Sequence, residues 1–195
     1  MNAFKFFSLL LIAAGLLFTG YGVWQIVQTN VKTNQSLADA QAAIRSADEK
    51  KMPSPTPEKG YEPEIGNAAG ILKIDRLDAE LPIVEGTDPD DLAKGVGHYK
   101  GSYYPNENGQ IVLSGHRDTV FRKAGDLEIG DSLTILLPYG EFEYKINSTK
   151  IVDADDMSVI TLQNEKEELI LTTCYPFSFI GNAPERYIIY AEKVN

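Results

Sequence analysis

The sequence predicts a mainly β protein, built as a sandwich or a closed barrel and preceded by one membrane-spanning helix. From about Ile65 onward, short apolar and β-branched runs alternate with turns that contain glycine or proline, and helical periodicity is scarce. At the N-terminus, 22 residues from Phe6 to Val27 carry no charge. A third feature concerns function: the chain has one cysteine, Cys174, at the end of a predicted strand.

The apolar stretch from Phe6 to Val27 is long enough to cross a bilayer, which needs about 20 apolar residues. Tyr21 and Trp24 lie near its C-terminal end, where such rings favour the membrane interface. Lys5 precedes it, so residues 1–5 are expected inside the cell and the body outside. A cleaved signal peptide is the alternative, but the small-residue site Ala38–Ala40 lies well beyond the apolar run. We therefore predict an uncleaved, single-pass anchor over residues 6–27.

Residues 28–64 are predicted to be an extracytoplasmic stalk and linker. Between residues 32 and 51, apolar side chains recur at helical spacing, which predicts a short helix; they are Leu37, Ala40, Ile44 and Ala47. Three alternate prolines between Met52 and Gly60 predict an extended spacer. The folded domain is then expected over residues 65–195.

Strand signals follow one another through this domain. They cover residues 70–75, 80–84, 110–114, 132–137, 141–146, 150–153, 168–173 and 186–194. The turn Pro138–Gly140 predicts a hairpin between two of them. Short helices are predicted at Asp88–Lys94 and Thr119–Ala124.

The charge balance excludes one class of partner. The net charge is −10, and from Asp39 onward 28 acidic side chains face 16 basic ones. Phosphate-backbone binding needs a basic face, so we predict no nucleic-acid partner. The same balance argues against adhesion to anionic lipids beyond the anchor itself.

Cys174 ends the run Glu168–Thr173 and is followed two positions later by Pro176, so a strand should deliver its sulfur to the start of a turn. An odd cysteine in an exported protein suggests a reactive thiol or an intermolecular bridge. A small buried hydrophobic role is the alternative.

A thiol nucleophile needs a base and stabilisation of the developing oxyanion. The chain has two histidines, and the position of His116 after a short apolar strand favours it modestly over His98, which lies near a turn. Arg186 opens the terminal strand, so a hairpin could place it beside Cys174. Arg117 and Arg122 are the competing arginines, and for any single arginine a surface ion pair is the simpler interpretation.

Three motifs in order resemble the sortases, the membrane-anchored cysteine transpeptidases of Gram-positive bacteria. They are Ile170-Leu-Thr-Thr-Cys174, which departs from the family pattern only at its first position, Ser114-Gly-His-Arg-Asp-Thr119 and Ala183-Pro-Glu-Arg186. Gly95-Val-Gly-His-Tyr99 is also similar. The short N-terminal region, the linker and the segment around Cys174 most resemble class D.

The resemblance implies a closed eight-stranded β-barrel with His116, Cys174 and Arg186 as the catalytic set, and a structural role for His98. Thr173 and the backbone N–H of Tyr175 are expected as oxyanion or substrate contacts. No cofactor is implied as required. Some members of the family bind calcium through clustered acids. Runs of acids are usually solvated surface, so the acids within residues 153–156 and 165–168 do not by themselves predict a calcium site.

The resemblance also implies the partners. These are surface proteins with a C-terminal signal similar to Leu-Pro-x-Thr-(Gly/Ser/Ala), cut after threonine, and an amine of a peptidoglycan precursor. The catalytic domain would lie on the outer face of the cell membrane. No Asp-Pro-aromatic lid motif occurs between Lys51 and Ile65, which favours wall anchoring over pilus assembly. A thiol oxidoreductase, a groove-bearing scaffold and a hydrolase that uses water as acceptor are the alternatives.

Overall fold

The computed structural model describes residues 3–49, 61–179 and 181–194. Helix α1 runs from Ala3 to Glu49, so the predicted span and the predicted helical stalk form one continuous helix of 47 residues. Among the described residues, one helix is long and apolar enough to cross a membrane, and it is α1. The proline-rich spacer between Met52 and Gly60 lies outside the described residues.

Eight strands form a closed barrel, which confirms the predicted fold class. Around the barrel the order is β1-β2-β3-β4-β7-β8-β6-β5. The strands are β1 (Ala68–Ile74), β2 (Ala79–Glu85), β3 (Val96–His98), β4 (Gln110–Gly115), β5 (Ser132–Leu137), β6 (Gly140–Asp153), β7 (Glu168–Tyr175) and β8 (Glu185–Lys193). Strand pairs β2–β3 and β4–β7 are parallel, and the other six pairs are antiparallel.

These directions bring four strand ends together. Because β4 and β7 run parallel, both finish at the same end of the barrel, at Gly115 and Tyr175. Strands β2 and β8 run the opposite way, so they begin there, at Ala79 and Glu185. We call this end, where Cys174 lies, the thiol end.

Side chains alternate between the barrel interior and its outer face. Leu113, Leu169, Leu171 and Ile189 belong to the large internal cluster. Their neighbours Val112, Ile170 and Ile188 point outward and form a second cluster with Val152 of β6 and Val159 of the loop that follows β6. The loop between β6 and β7 covers this outer cluster. Gln110 fixes the loop, because its side chain donates to the Val159 carbonyl and accepts from the backbone N–H groups of Thr161 and Leu162.

Helix α1 packs against the outside of β1 and β2. Ser36, Ala40 and Ala47 are buried at helical spacing on its barrel-facing side. Ile71 and Val84 of the two strands are also buried, although they belong to neither apolar cluster. The stalk is therefore docked on the barrel rather than detached from it.

The structure corrects three local predictions. Residues 141–146 and 150–153 form one strand, β6. The polar residues 147–149, which separated the two predicted strands, lie within it, and the pairing register with β8 shifts between Ile146 and Ser148. His98 ends the short strand β3 instead of lying in a turn. There Gly97 approaches the Gly86 carbonyl so closely that a Cβ would lie 2.4 Å from its oxygen, so the glycine pattern that indicated a turn instead serves close strand packing.

The third correction concerns Thr119–Ala124, which is a run of turns and not a helix. The N–H groups of Phe121 and Arg122 bond back to the carbonyls of His116 and Thr119, and a 3-10 helix begins only at Ala124. Adjacent β-branched Thr119 and Val120 disfavour a helix here. The other predicted short helix is confirmed in part, as α2 (Pro89–Leu92).

Candidate active site

Cys174 and Arg186 lie on the same face of the sheet. The two residues are direct partners in the antiparallel pairing of β7 with β8. Side chains of such partners project to the same side, with Cβ atoms about 4.5–5.5 Å apart. The predicted strand that ends at the sulfur and the predicted hairpin that brings Arg186 beside it are both confirmed.

His116 lies directly after the end of β4, the strand that neighbours β7. In the parallel pairing of β4 with β7, Gly115 is the partner of Thr173, so the next residues, His116 and Cys174, are adjacent. Val112 and Ser114 lie on the outward side of β4 by alternation, and His116 lies just beyond the last residue of that strand. The three sequence-predicted residues therefore lie at neighbouring positions, with His116 just past β4, Cys174 on β7 and Arg186 on β8.

This outer face opens toward the thiol end. Val112 and Ile170 are fully buried under the β6–β7 loop. Further along the same strands, Ser114, Thr172 and Cys174 are partly exposed. A polypeptide can therefore reach the sulfur from solvent at this end of the face.

Thr173 has a different contact from the one expected of an oxyanion donor. Its side chain is 5% exposed and its hydroxyl donates a 2.7 Å hydrogen bond to the Gly115 carbonyl. The bond fastens the end of β4 to the end of β7. It therefore fixes the spacing between the backbones that carry His116 and Cys174.

The guanidinium of Arg186 is oriented by its own strand. One nitrogen, Nη1, donates to the carbonyls of Ala183 and Glu185 at 3.2 and 3.0 Å. A planar guanidinium carries five N–H donors, so these bonds leave others for an incoming anion or carbonyl.

The two competing arginines have other contacts. Arg117 reaches across to the β7–β8 loop, where its Nη2 donates to the carbonyls of Phe179 and Gly181 at 2.6 and 2.8 Å. Arg122 donates to the backbone carbonyl of Asp118. Arg117 thus joins the turn after His116 to the loop after Cys174, a role that its position in the sequence did not reveal.

A cluster of three aromatic rings lies at the thiol end of the barrel, and two of them, Phe177 and Tyr187, pack against the internal apolar cluster. The rings of Tyr175, Phe177 and Tyr187 lie 5.5–6.0 Å apart in edge-to-face and stacked arrangements. Phe177 also rests on Gly125, where a Cβ would lie 2.8 Å from the ring. The loop that follows Cys174 is therefore packed against the segment that follows His116.

Gly115 has a steric function just before His116. A Cβ at this position would lie 2.5 Å from Cδ2 of the buried Phe121. Phe121 in turn returns its N–H to the His116 carbonyl. The glycine in the Ser-Gly-His motif therefore permits the tight turn that presents the histidine.

His98 points into the barrel and not toward the thiol. It is the partner of inward-facing Leu113, and it is 1% exposed. Its Nδ1–H donates to Glu85 Oε2 at 2.7 Å, and the Tyr104 hydroxyl donates to the same oxygen at 2.7 Å. His98 is therefore a structural residue, as the resemblance implied.

The pKa shifts of Glu85 and Tyr104 follow from burial and from these hydrogen bonds. Burial alone would raise the pKa of Glu85, but the hydrogen bonds from His98 and Tyr104 outweigh it, and the pKa is lowered. Burial, followed by the bond to Glu85, raises the pKa of Tyr104, which keeps its hydroxyl a donor.

Three of the acids considered for calcium have protein partners. Asp156 accepts the Ser158 N–H, Glu167 pairs with Lys193, and Glu168 pairs with Lys166. Within residues 3–49, 61–179 and 181–194, no three histidine, cysteine, aspartate or glutamate side chains converge in a way that could hold a metal ion.

Comparison with known proteins identifies the family of this chain. The family model for the sortase domain matches residues 72–194. Sortase D of Bacillus subtilis (strain 168) is 60% identical over 195 residues, covering 97% of this chain and 98% of that protein. The chain belongs to the sortase family. It is therefore a cysteine transpeptidase, and attachment of proteins to the cell wall follows from its family.

Solved structures share the fold of this sortase. A Clostridium perfringens Sortase D5 transpeptidase matches with a TM-score of 0.66 and 24% identity, over 81% of this chain and 99% of that chain. Sortase C from Clostridium perfringens SM101 matches with a TM-score of 0.62 and 26% identity, over 83% and 90%.

Proposed function

We propose that this sortase cleaves a Leu-Pro-x-Thr-(Gly/Ser/Ala)-like signal after threonine and transfers the threonine acyl group to a cell-wall amine. His116, Cys174 and Arg186 are the proposed catalytic residues. The observation that supports the proposal is that Cys174 and Arg186 are direct partners on β7 and β8, while His116 directly follows the end of β4, the other neighbour of β7.

In the first half of the reaction, the sulfur of Cys174 attacks the threonine carbonyl carbon. Negative charge develops on the carbonyl oxygen, where the guanidinium of Arg186 stabilises it. His116 gives a proton to the departing amine as the C–N bond breaks, which leaves a thioester on Cys174.

In the second half, the incoming amine attacks the thioester carbonyl and His116 takes its proton. A new amide forms and the thiolate leaves, which restores the enzyme. Thr173 contributes by holding β4 to β7, and the backbone N–H of Tyr175 remains a candidate oxyanion donor. The leucine and proline of the signal require apolar surface on the outer wall of the barrel near Cys174.

We further propose that α1 anchors the enzyme through residues 6–27, with residues 1–5 inside the cell and residues 65–195 forming the extracytoplasmic catalytic domain. Residues 28–64 are then the stalk and linker. Both the tail of the signal and a lipid-linked wall precursor lie at the bilayer, so tethering raises the effective concentration of all three reactants.

The test is mass spectrometry of the protein from Lys51 onward with a panel of Leu-Pro-x-Thr-(Gly/Ser/Ala) peptides, with and without an amine acceptor. Wild type should gain the mass of the peptide up to threonine, and amine should discharge it. Cys174→Ala should gain none. Folded wild-type protein that forms no adduct and cleaves none of these peptides would contradict the proposed signal. Discharge that is independent of amine would indicate hydrolysis.

A further inference from the structure

A cavity of about 650 Å³ lies between α1 and the thiol end of the barrel. Gln25, Thr29 and Thr33 of α1 line one side. They recur every four residues and so share one face of the helix. Leu77 and Leu81 contribute apolar surface on the barrel side.

The cavity is placed where a membrane surface would be. Its α1 wall begins at Gln25 and Ile26, in the last turn of the apolar stretch that ends at Val27. With residues 6–27 in the hydrocarbon core, residues 28–33 reach the level of the lipid headgroups. Polar side chains of α1, among them Thr29 and Thr33, therefore line an open cleft beside the headgroups.

Two adjacent cations form the far rim. Arg122 and Lys123 line the cavity, within the turns that begin at His116. Arg122 is oriented by donation from Nε and Nη2 to the Asp118 backbone carbonyl, which leaves Nη1 without an acceptor in the described part of the chain. Lys123 forms no ion pair with any residue that the structure describes.

The local charge contrasts with that of the body. From Asp39 onward the net charge is −12, which argued against general adhesion to anionic lipids. At this rim, two cations outnumber the single carboxylate of Asp118. A cavity with an apolar floor, polar helix side chains and a cationic rim is suited to one phosphate group attached to a hydrocarbon chain.

We propose that this cavity binds the anionic headgroup of a bilayer phospholipid. The phosphate lies against Arg122 and Lys123, and the first carbons of the lipid lie against Leu77 and Leu81. Since the turn that carries both cations begins at His116, an occupied cavity holds the thiol end of the barrel at the membrane surface. The inference rests on the proposed function, because the cavity meets lipid only if α1 spans the bilayer.

The test is native mass spectrometry of the full chain released from zwitterionic detergent micelles that contain equal amounts of phosphatidylglycerol and phosphatidylcholine. Wild type should retain one phosphatidylglycerol in preference to phosphatidylcholine. The double variant Arg122→Gln/Lys123→Gln should reduce that retention by about tenfold or more, given the usual contribution of a cation near an anionic lipid surface. A matched double variant, Lys100→Gln/Lys150→Gln, removes the same charge from two other exposed positions and should behave as wild type.

A second variant separates the cavity from general electrostatics. Thr29→Trp fills the space without changing the charge, and it should also abolish selective retention. Equal retention of the two lipids by wild type, equal losses in the two charge variants, or full retention by Thr29→Trp would each overturn the proposal. Because no peptide is present, retention is measured independently of transpeptidation, so a failure of the lipid site and a failure of the proposed reaction can be told apart.

Discussion

At the scale of single residues, the proposed chemistry depends on a direct cross-strand pair. Arg186 faces Cys174 across the β7–β8 ladder, and its own strand orients one nitrogen while leaving other donors available. Arg117, the closest rival in the sequence, is occupied by carbonyls of the β7–β8 loop. The geometry therefore favours Arg186 as the group that meets the oxyanion.

We expect Arg186→Gln to lower kcat for peptide cleavage by a factor on the order of 10²–10³, as removal of one oxyanion donor does elsewhere. KM should change much less, because the charge develops only in the transition state. Steady-state kinetics with one signal peptide measures this. Arg76→Gln removes an exposed arginine that pairs with Glu128 and Asp131, and it should leave kcat unchanged. A loss confined to KM in Arg186→Gln would contradict the assigned role.

Glu85 makes stability depend on pH. Because folding lowers its pKa below the ordinary value of 4.5, the folded state binds the proton less tightly than the unfolded state. The stabilisation is therefore complete above the unfolded pKa and is lost as the pH falls through the folded pKa. Between pH 7 and pH 3, the melting temperature of wild type should fall further than that of Glu85→Gln. The exposed control, Glu80→Gln, should follow wild type, and a parallel fall in Glu85→Gln would contradict this explanation.

At the scale of elements, two short turns position the site. The turn after β4 starts at His116 and depends on the absence of a side chain at Gly115. The loop after β7 is held to it by Arg117 and by Phe177 against Gly125. The reactive groups thus stand on strand ends that are coupled by loop packing.

Gly115→Ala should displace the turn, because its Cβ would lie 2.5 Å from Phe121. We expect acyl-enzyme formation to fall by about tenfold or more, since small displacements of reacting groups cost rate steeply. The double variant Gly115→Ala/Phe121→Leu should recover part of the rate, and Phe121→Leu alone serves as the control. Rapid chemical quenching followed by mass spectrometry of the acylated fraction gives the acylation rates of the three variants relative to wild type. Strictly additive effects of the two changes would show that the contact does not position His116.

Sequence patterns predicted the regular parts of these elements and missed the contacts between them. Strand β1 was visible through its alternation, and β4 and β7 were visible as short apolar runs because both of their faces are buried. The three-residue strand β3 is too short to show a period, and Thr119–Ala124 was mistaken for a helix since turns and short helices share composition. The clamp formed by Arg117 depends on a loop more than 60 residues away, which no local pattern reports.

At the scale of the whole molecule, the barrel packs against the long N-terminal helix α1. Ala40 is 1% exposed at the contact of α1 with β1 and β2. The docking fixes the thiol end on the same side as the C-terminal end of the apolar stretch. Under the proposed anchoring, this docking sets the orientation of the proposed catalytic face relative to the membrane.

Ala40→Glu should separate α1 from the barrel, because it places a charge in a closely packed apolar contact. Hydrogen exchange should rise at the amides of Ile71 and Val84, while exchange within β7 should not change. Ala42→Glu adds the same charge on the exposed side of α1 and should have no effect. Unchanged exchange at β1 and β2 in Ala40→Glu would show that the helix is not docked.

The central claim is that Cys174 faces Arg186 on the outer side of the barrel, and the chain allows a direct test because it has no other cysteine. Direct antiparallel partners have Cα atoms about 4.5–5.5 Å apart, within the range that a disulfide spans. Under mild oxidation, Arg186→Cys should form an intramolecular disulfide with Cys174, seen as the loss of two hydrogens and of one free thiol by mass spectrometry. Glu185→Cys, one residue away on the opposite face, should form none. A disulfide in Glu185→Cys but not in Arg186→Cys would contradict the arrangement on which the proposed mechanism depends.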